Sequence, residues 1–294
     1  MSQILLNNHG GPFDGSDYPL QTHPSEVWVL EWMARLLNLK SGRPNGVIAP
    51  GTTVATQHAL MTARDLLAAR GHSPRGYYSG NAHHCARNTF RLLGIPCEEV
   101  HARPNGSIDI DAFADRLNGC GDAGAIIYAT VGTTWKGAAD DIQQLGFLVR
   151  ERGHEQSWLH VDAALFGFML PYLDDVPAWD FRVKEVSSIA VSAHKFLGCP
   201  RVAGILLMRQ FDDTEQQWID YAGSSDLCSL GSRDGIVPMW IRHLLTILGD
   251  VGMREWAKQA ISVAKYAEHR IAEIGLNPLR NAFSNIVTFD CPQD

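Results

Sequence analysis

Apolar positions along the chain form two alternating patterns, short β-type runs and longer helical stretches. Residues 24–39 have helical periodicity, with one apolar face formed by Val27, Leu30, Ala34 and Leu37. Short apolar runs follow, separated by helical patterns, at residues 47–49, 76–79, 97–101, 125–130, 158–162, 188–192 and 203–208. This alternation predicts an α/β fold in which a mostly parallel sheet is flanked by helices on both faces.

The C-terminal part has a different pattern. From residue 236 to about 275 the periodicity is helical, and residues 284–289 predict one strand. A lone strand needs a pairing partner, and none follows before Asp294. We therefore expect an N-terminal segment and helix (residues 1–45), a large domain (46–235), and a small C-terminal domain (236–294) that is incomplete.

Charge and composition narrow the range of partners. The formal net charge of -7 is spread along the chain, which argues against a nucleic-acid-binding surface or an electrostatic membrane anchor. The N-terminus lacks the pattern of a signal peptide, and no apolar run approaches the length of a membrane span. The six scattered cysteines are typical of reduced thiols. We expect a cytoplasmic protein whose partners are small molecules or another subunit.

Two polar side chains follow β-type runs, at the strand ends where ligands of open α/β sheets collect. Asp162 ends the run at 158–162, and Lys195 comes three residues after Ser192, the last residue of the run at 188–192. Pyridoxal phosphate requires these two groups, because a lysine binds it as a Schiff base and a carboxylate keeps its ring nitrogen protonated. Singly, Asp162 could cap a helix and Lys195 could lie in a solvated loop; together they favour a cofactor site.

A site for the cofactor phosphate needs backbone N–H groups at a helix N-terminus and a few hydroxyl groups. The sequence Pro-Gly-Thr-Thr at residues 50–53, between a β-type run and a helix, has this composition. The same sequence is also typical of an ordinary helix cap. Its position ahead of Asp162 and Lys195 in the chain favours the phosphate site.

Two adjacent histidines follow the run at residues 76–79. His83 is suited to stack on a cofactor ring, and His84 is interpreted as a core histidine. Zinc binding is the competing interpretation, with His83, His84, Cys85 and His160 as candidate ligands. Adjacent histidines rarely bind one ion in a preformed site, and no third ligand has recognisable spacing, so we expect no metal.

Five stretches of the chain resemble the group II pyridoxal-phosphate decarboxylases of fold type I, in particular the branch of bacterial histidine decarboxylase and plant serine decarboxylase. They occur in the family's order over roughly residues 5–290. The stretches are Tyr-Tyr-Ser-Gly-Asn-Ala-His (77–83), Gly-Thr-Thr-Trp-Lys-Gly-Ala-Ala-Asp-Asp-Ile (132–142), His-Val-Asp-Ala-Ala-Leu-Phe-Gly-Phe-Met-Leu-Pro (160–171), Val-Ser-Ala-His-Lys-Phe-Leu-Gly-Cys-Pro (191–200) and Leu-Gly-Ser-Arg-Asp-Gly (230–235).

The resemblance implies roles for the matching residues, with the large domain (46–235) holding the cofactor. Lys195 would be the Schiff-base lysine, and Asp162 the partner of the ring nitrogen. His83 would stack above the ring, Ala164 would leave room beneath it, and Thr133 would lie nearby. The phosphate would be held by Thr52, Thr53, Ser192 and His194.

The resemblance also implies a homodimer with active sites at the subunit interface, in which Gly231 and Ser232 would reach the phosphate of the neighbouring subunit. The implied reaction is decarboxylation of an L-amino acid, histidine- or serine-like, to the amine and CO2. Tyr221 is a candidate proton donor from a mobile loop, although a packed tyrosine fits the pattern as well.

Two alternatives remain open from the sequence. One is another pyridoxal-phosphate reaction, such as transamination or elimination, because the cofactor does not dictate which bond breaks. Transamination would be favoured by an arginine that retains the substrate carboxylate, and Arg280 is the arginine nearest the predicted terminal strand. The other alternative is a truncated, non-catalytic relative that acts as a regulatory or assembly subunit or needs a second polypeptide.

Overall fold

The computed structural model describes residues 5–14, 18–40, 44–209, 217–219, 224–226 and 231–291. In these residues the helices are α1 (His23–Leu36), α2 (Thr52–Ala69), α3 (Cys85–Leu92), α4 (Ile110–Asn118), α5 (Ile142–Arg152) and α6 (Ile236–Glu273). The strands are β1 (Asn7–Asn8), β2 (Asn45–Ala49), β3 (Pro74–Ser79), β4 (Cys97–Val100), β5 (Gly124–Thr130), β6 (Ser157–Asp162), β7 (Val186–Ser192), β8 (Gly204–Met208), β9 (Gln217–Ile219), β10 (Ser224–Asp226), β11 (Arg233–Asp234), β12 (Pro278–Leu279) and β13 (Thr288–Phe289).

A seven-stranded sheet with the order β2-β8-β7-β6-β5-β3-β4 forms the centre of the described chain. Strands β3 to β7 pair in parallel, and β8 runs antiparallel to both β2 and β7. The predicted α/β fold with a mostly parallel sheet is therefore confirmed, and each predicted run overlaps one strand of this sheet. Because parallel strands end at the same edge, the residues that follow β5, β6 and β7 meet there.

Successive residues of the central strands face opposite sides of the sheet. On β6, Leu159 and Val161 pack into the core cluster that contains buried residues of α1, α4 and α5. Trp158 packs into a second cluster, which contains residues of α2 and α3. His160 and Asp162 alternate with the first pair, so they face the side covered by α2 and α3.

Helix α1 confirms the predicted N-terminal helix, but its buried face includes a carboxylate. Glu26 is fully buried, whereas Val27 is only half-buried. The Glu26 carboxylate accepts hydrogen bonds from Asn8 Nδ2 (2.7 Å) and from the backbone amide of Ile48 (2.9 Å). The guanidinium of Arg233, also buried, lies 3.2 Å from Glu26 Oε2. This ion pair ties the N-terminal segment, α1, β2 and β11 together.

Replacing Glu26 with alanine is expected to lower the free energy of unfolding by about 3–5 kcal/mol, because the buried Arg233 guanidinium loses this carboxylate. Urea unfolding followed by circular dichroism measures the change. Glu31→Ala, at an exposed position of the same helix, is the control and should change stability by less than about 0.5 kcal/mol. Equal losses in the two variants would show that the pair does not stabilise the fold.

Helix α6 confirms the predicted helical stretch that begins at residue 236. Gly249 has non-helical dihedral angles (φ 55°, ψ -173°), so the helix is kinked there. The expectation that no apolar run approaches the length of a membrane span is wrong, because α6 is long and apolar enough to cross a membrane by length and composition alone. Core helices of soluble proteins pass the same test. Helix α6 packs against α1 and a 3-10 turn at Leu170–Tyr172. The absence of a membrane partner stays a prediction.

The predicted terminal strand is shorter than expected and has a partner. Within residues 284–289 the strand comprises Thr288–Phe289 (β13), and it pairs antiparallel with β12, which precedes it in the chain. The prediction of one long unpaired strand is therefore wrong. Ser284 accounts for the shorter strand, because its hydroxyl accepts the backbone amide of Ile286 (3.0 Å) and so favours a local turn over extended backbone.

Candidate active site

The two side chains predicted to carry the chemistry lie at the C-terminal ends of adjacent strands. Asp162 is the last residue of β6, is 5% exposed, and pairs with Ala190 of β7. Lys195 lies in the turn three residues beyond the end of β7 and is exposed. Because β6 and β7 pair in parallel, both strands end at the same edge of the sheet, and the predicted aspartate and lysine lie at that edge.

The carboxylate of Asp162 is held by two hydrogen-bond donors. The hydroxyl of Tyr128, on the adjacent strand β5, donates to Oδ2. The backbone amide of Ala164 donates to Oδ1 over 2.9 Å, which places this predicted small residue directly beside the carboxylate. Burial raises the pKa of Tyr128 well above its usual range, so the phenol remains a donor at neutral pH. The carboxylate is therefore oriented by the protein itself.

His83 lies near both Asp162 and Lys195. Burial lowers the pKa of His83; the neighbouring His84 and Lys195 lower it further, and Asp162 opposes the change. Its Nδ1 accepts the backbone amide of Cys85 (3.3 Å), which fixes the ring orientation. His83 is consequently a neutral ring at neutral pH, in the form best suited to stack on a flat cofactor.

Thr52 and Ser192, both predicted to bind phosphate, contact each other through their hydroxyl groups. Thr52 is the first residue of α2, and Ser192 is the last residue of β7. Gly51 has φ 101°, a conformation that favours glycine, and it leads directly into α2. The first N–H groups of a helix lack partners within the helix and attract anions. The α2 N-terminus and the two hydroxyls therefore have the composition expected of the predicted anion site.

Gly204, at the start of β8, lets the segment at residues 50–52, which leads into α2, approach the sheet closely. This segment is the candidate anion-binding loop. A Cβ atom at position 204 would lie 2.5 Å from the backbone nitrogen of Thr52 and would also collide with the backbone of Gly51. Because the colliding atoms are backbone atoms, they cannot rotate away. The position of the first amide of α2 therefore depends on the absence of a side chain at Gly204.

The remaining predicted cofactor-binding residues lie on segments next to these groups. The half-buried ring of His194 accepts the backbone amide of Ala203 at Nδ1 (3.1 Å). Thr133 is buried in the loop after β5, where its hydroxyl accepts the backbone amide of Ala138 (2.9 Å). Thr53 is exposed in the first turn of α2. His194 and Thr133 thus also fix the shape of their own loops.

His160, considered above as a zinc ligand, makes structural hydrogen bonds. Its buried ring contacts the hydroxyl of Thr56 through Nε2 (3.1 Å) and that of Ser188 through Nδ1 (2.8 Å). Burial lowers the pKa of His160 to about 4, with Asp162 opposing, so the ring is neutral at neutral pH. These contacts tie α2 to β6 and β7. Within the described ranges, no three His, Cys, Asp or Glu side chains are grouped to hold a metal ion.

Several residues named from the sequence lie outside this group. Ser232 accepts a hydrogen bond from Asn7 Nδ2 (3.1 Å), so Gly231 and Ser232 lie beside the N-terminal segment of their own chain. Arg280 is held by Glu268, with 2.6 Å between Nε and Oε2. Tyr221 lies outside the described residues.

The interpretation of His84 as a core histidine is wrong. His84 is exposed, and its ring centroid lies 4.0 Å from that of His83. The reason is the start of α3, where Cys85 takes the buried position and His84 is left on the solvent side.

Sequence reasoning missed Tyr128 as a member of the site. This residue lies in a strand whose seven residues are all buried. A hydroxyl in such a strand usually needs a hydrogen-bond partner, and that was the available signal. The thiol of Cys85 lies 3.4 Å from the Tyr128 hydroxyl, and burial raises the pKa of Cys85 to about 11, so it remains a thiol.

Comparisons with known proteins agree with this geometry. The chain is 31% identical over 296 residues to serine decarboxylase 3 of Oryza sativa subsp. japonica, covering 99% of this chain and 65% of that protein. It is 31% identical to histidine decarboxylase of Morganella morganii, covering 99% and 77% of the two chains. The chain thus spans less than two thirds of the length of the rice enzyme. The crystal structure of L-methionine decarboxylase from Streptomyces sp. 590 superposes with a TM-score of 0.89 at 23% identity, covering 99% of this chain and 77% of that one, which shows the shared fold.

Fold and site together define a pyridoxal-phosphate protein with an α/β architecture. The family model described as the pyridoxal-dependent decarboxylase conserved domain matches residues 11–277. The chain belongs to the pyridoxal-dependent decarboxylase family, and its resemblance to the serine and histidine decarboxylases is confirmed. The cofactor of the family fits the residues present, because Gly204 leaves room for the anion-binding loop and Asp162 and Lys195 lie together at the strand ends.

Replacing Gly204 with alanine is expected to weaken pyridoxal phosphate binding by about five- to hundred-fold. The added Cβ atom overpacks this position at a cost of about 1–3 kcal/mol, and it displaces the candidate anion-binding loop. Titration of the cofactor-free protein with pyridoxal phosphate measures the dissociation constant. Gly252→Ala, where a Cβ meets only ordinary van der Waals contacts in α6, is the control. Unchanged affinity in Gly204→Ala would mean that the loop does not hold the phosphate.

Proposed function

We propose that this protein decarboxylates an L-amino acid with a histidine- or serine-like side chain, using pyridoxal phosphate and releasing the amine and CO2. The observation that carries the proposal is the placement of Asp162 and Lys195 after adjacent parallel strands, on the sheet edge where the α2 N-terminus begins. The substrate class is supported by relatives at 30–31% identity that are named serine and histidine decarboxylases.

Each side chain of the site has a distinct task in this proposal. Bound pyridoxal phosphate supplies a sink for the electron pair that the departing carboxylate leaves behind. Lys195 Nζ would hold the cofactor covalently until the substrate amine takes its place. Asp162 would hold the proton at the ring nitrogen, His83 would cover one face of the ring, and Ala164 would leave space at the other.

The phosphate would be held by the α2 N-terminus and the hydroxyls around it. Backbone amides donate to an anion without needing a charged side chain, and the helix dipole adds to the attraction. Thr133 would lie beside the ring. The phosphate-binding side chains in this proposal are Thr52, Thr53, Ser192 and His194.

We infer further that the working unit is a cytoplasmic homodimer without nucleic-acid or membrane partners, built on a large domain at residues 46–235. Ser232 is exposed in the isolated chain, which leaves it accessible to a second subunit. Cys85, Cys97, Cys120, Cys199 and Cys291 are all free thiols, which suits a reducing compartment. Sedimentation velocity with cofactor would test the dimer, and a monomer that retains full activity would contradict it.

Tyr221 is proposed as the proton donor to the substrate α-carbon.

The first experiment tests cofactor and reaction together. The purified protein is incubated with pyridoxal phosphate, its visible absorbance is recorded, and borohydride reduction followed by peptide mass mapping locates the bound cofactor. Carboxyl-labelled L-histidine, L-serine, L-methionine and L-glutamate are then supplied separately, and released CO2 and amine are measured.

Label on Lys195 with CO2 and amine from histidine or serine is the expected result. A 2-oxo acid without CO2 would identify transamination and contradict the proposal. No adduct and no product would contradict both cofactor binding and decarboxylation by this chain.

A further inference from the structure

Three buried side chains, those of Cys85, Tyr128 and Asp162, form a hydrogen-bonded series. The series ends at the Asp162 carboxylate, which faces the candidate cofactor site. Strands β5 and β6 pair with Tyr128 opposite His160 and Thr130 opposite Asp162. Tyr128 is therefore diagonal to Asp162 across the two strands, within reach of a long side chain. The contact is direct, since the Tyr128 hydroxyl donates to Asp162 Oδ2 and lies 3.4 Å from the Cys85 thiol.

The direction of these hydrogen bonds follows from the groups themselves. An ionised carboxylate accepts hydrogen bonds and cannot donate them, so Tyr128 must be the donor to Asp162. The phenol oxygen retains lone pairs that can accept the thiol proton of Cys85. Tyr128 and Cys85 are both buried. The order of donation is therefore Cys85 to Tyr128 to Asp162.

The other groups near Asp162 act differently. His160 is bonded to Thr56 and Ser188 through its two ring nitrogens and offers no further N–H to the carboxylate. His83 is a neutral ring, and the Ala164 amide is a fixed backbone donor. In the described part of the chain, Tyr128 is thus the side-chain hydroxyl that donates to this carboxylate.

This arrangement has a consequence for the proton shared between a bound ring nitrogen and the carboxylate. A carboxylate that already accepts a charge-assisted hydrogen bond holds its negative charge more stably and competes less for that proton. We propose that Tyr128 is a positioning residue for Asp162, and that its hydroxyl keeps the shared proton on the cofactor ring nitrogen. This role rests on the proposed function and deepens it, because the electron sink depends on a protonated ring.

The test uses the holoenzyme reconstituted with pyridoxal phosphate labelled with 15N at the ring nitrogen. In Tyr128→Phe the ring-nitrogen chemical shift is expected to move toward that of the unprotonated ring. The turnover number kcat should fall about ten- to hundred-fold, the equivalent of one hydrogen bond to a charged group. KM should stay within about two-fold, because Tyr128 does not touch the substrate.

Tyr77→Phe is the matched control. It removes the same hydroxyl from a buried tyrosine that packs edge-on against Phe113 in the other core cluster. Its ring-nitrogen shift and kcat should equal those of the unmodified protein. Should Tyr128→Phe not fold, fluorotyrosine introduced at position 128 gives a stronger donor of nearly the same shape, and the shift is then expected to move in the opposite direction.

The outcomes separate the two proposals. A Tyr128→Phe protein whose ring-nitrogen shift equals that of the Tyr77→Phe protein would overturn the role of Tyr128 while leaving decarboxylation intact. Cofactor binding without CO2 release in the unmodified protein would overturn the proposed function, yet the ring-nitrogen shift would still decide the role of Tyr128. An unmodified protein that binds no cofactor would overturn both.

Discussion

Replacing Lys195 with alanine is expected to abolish covalent attachment of pyridoxal phosphate and to lower turnover by about three orders of magnitude or more, as loss of a covalent catalytic group does in other enzymes. The physical reason is that, in the proposed function, Lys195 would supply the amine that holds the cofactor until the substrate amine displaces it. The side chain is exposed beyond the end of β7, so its removal leaves no cavity in the core. Loss of activity should therefore occur without a matching loss of stability.

Borohydride reduction and peptide mapping measure the attachment, and release of labelled CO2 measures the turnover. Lys184→Ala is the matched control, because Lys184 is an exposed lysine just before β7, at the opposite end of the same strand. The control should keep both adduct and turnover. Turnover near the unmodified rate in Lys195→Ala would show that another group carries the cofactor.

Much of the central sheet could be predicted because each of its strands has a local signature. A buried parallel strand is apolar along its length, so runs such as residues 125–130 and 188–192 stand out without knowledge of their neighbours. Helices α4 and α5 are short and bury few residues, and no bounds were predicted for them. Their signal lay in the caps, since Asp109 and Asp141 both accept backbone amides in the first turns.

The buried face of α1 could not be predicted from periodicity. An apolar pattern assigns a glutamate to the solvent side, yet Glu26 is fully buried. Its burial depends on Arg233, which is 207 positions away in the chain, and on Asn8. Such long-range pairing has no local signature, because a charge can be buried only where tertiary structure supplies its partner.

The candidate site also contains some residues that could be predicted from local sequence and others that could not. Asp162 and Lys195 could be predicted because they lie at or just beyond the C-terminal ends of strands, where the topology of parallel sheets gathers ligand-binding groups. Tyr128 and Thr56 could not, because their roles come from contacts across strands or between a helix and a strand. Local sequence therefore identified the groups expected to touch the cofactor, and the fold was needed to find the groups that support them.

Replacing Asp162 with asparagine is expected to keep the fold and the Lys195 adduct but to lower turnover by about 10²–10⁴-fold. Asparagine has nearly the same shape as aspartate, but it carries no negative charge to hold a proton at the ring nitrogen. Removing one partner of a buried charge pair costs about 3–5 kcal/mol, which corresponds to that range of rates. The remaining donors worsen the effect, since Tyr128 and the Ala164 amide both present hydrogen atoms to this position. One asparagine oxygen cannot satisfy both of them and the ring as well.

Turnover and borohydride labelling, measured on the same preparation, separate the loss of chemistry from the loss of cofactor. Asp141→Asn is the control, because Asp141 is an exposed N-cap and asparagine caps a helix about as well as aspartate. If Asp162→Asn retained turnover within about ten-fold of the unmodified protein, the ring-nitrogen proton would not depend on this carboxylate. The proposed role of Tyr128 would then fail with it, because Tyr128 acts on the ring through Asp162.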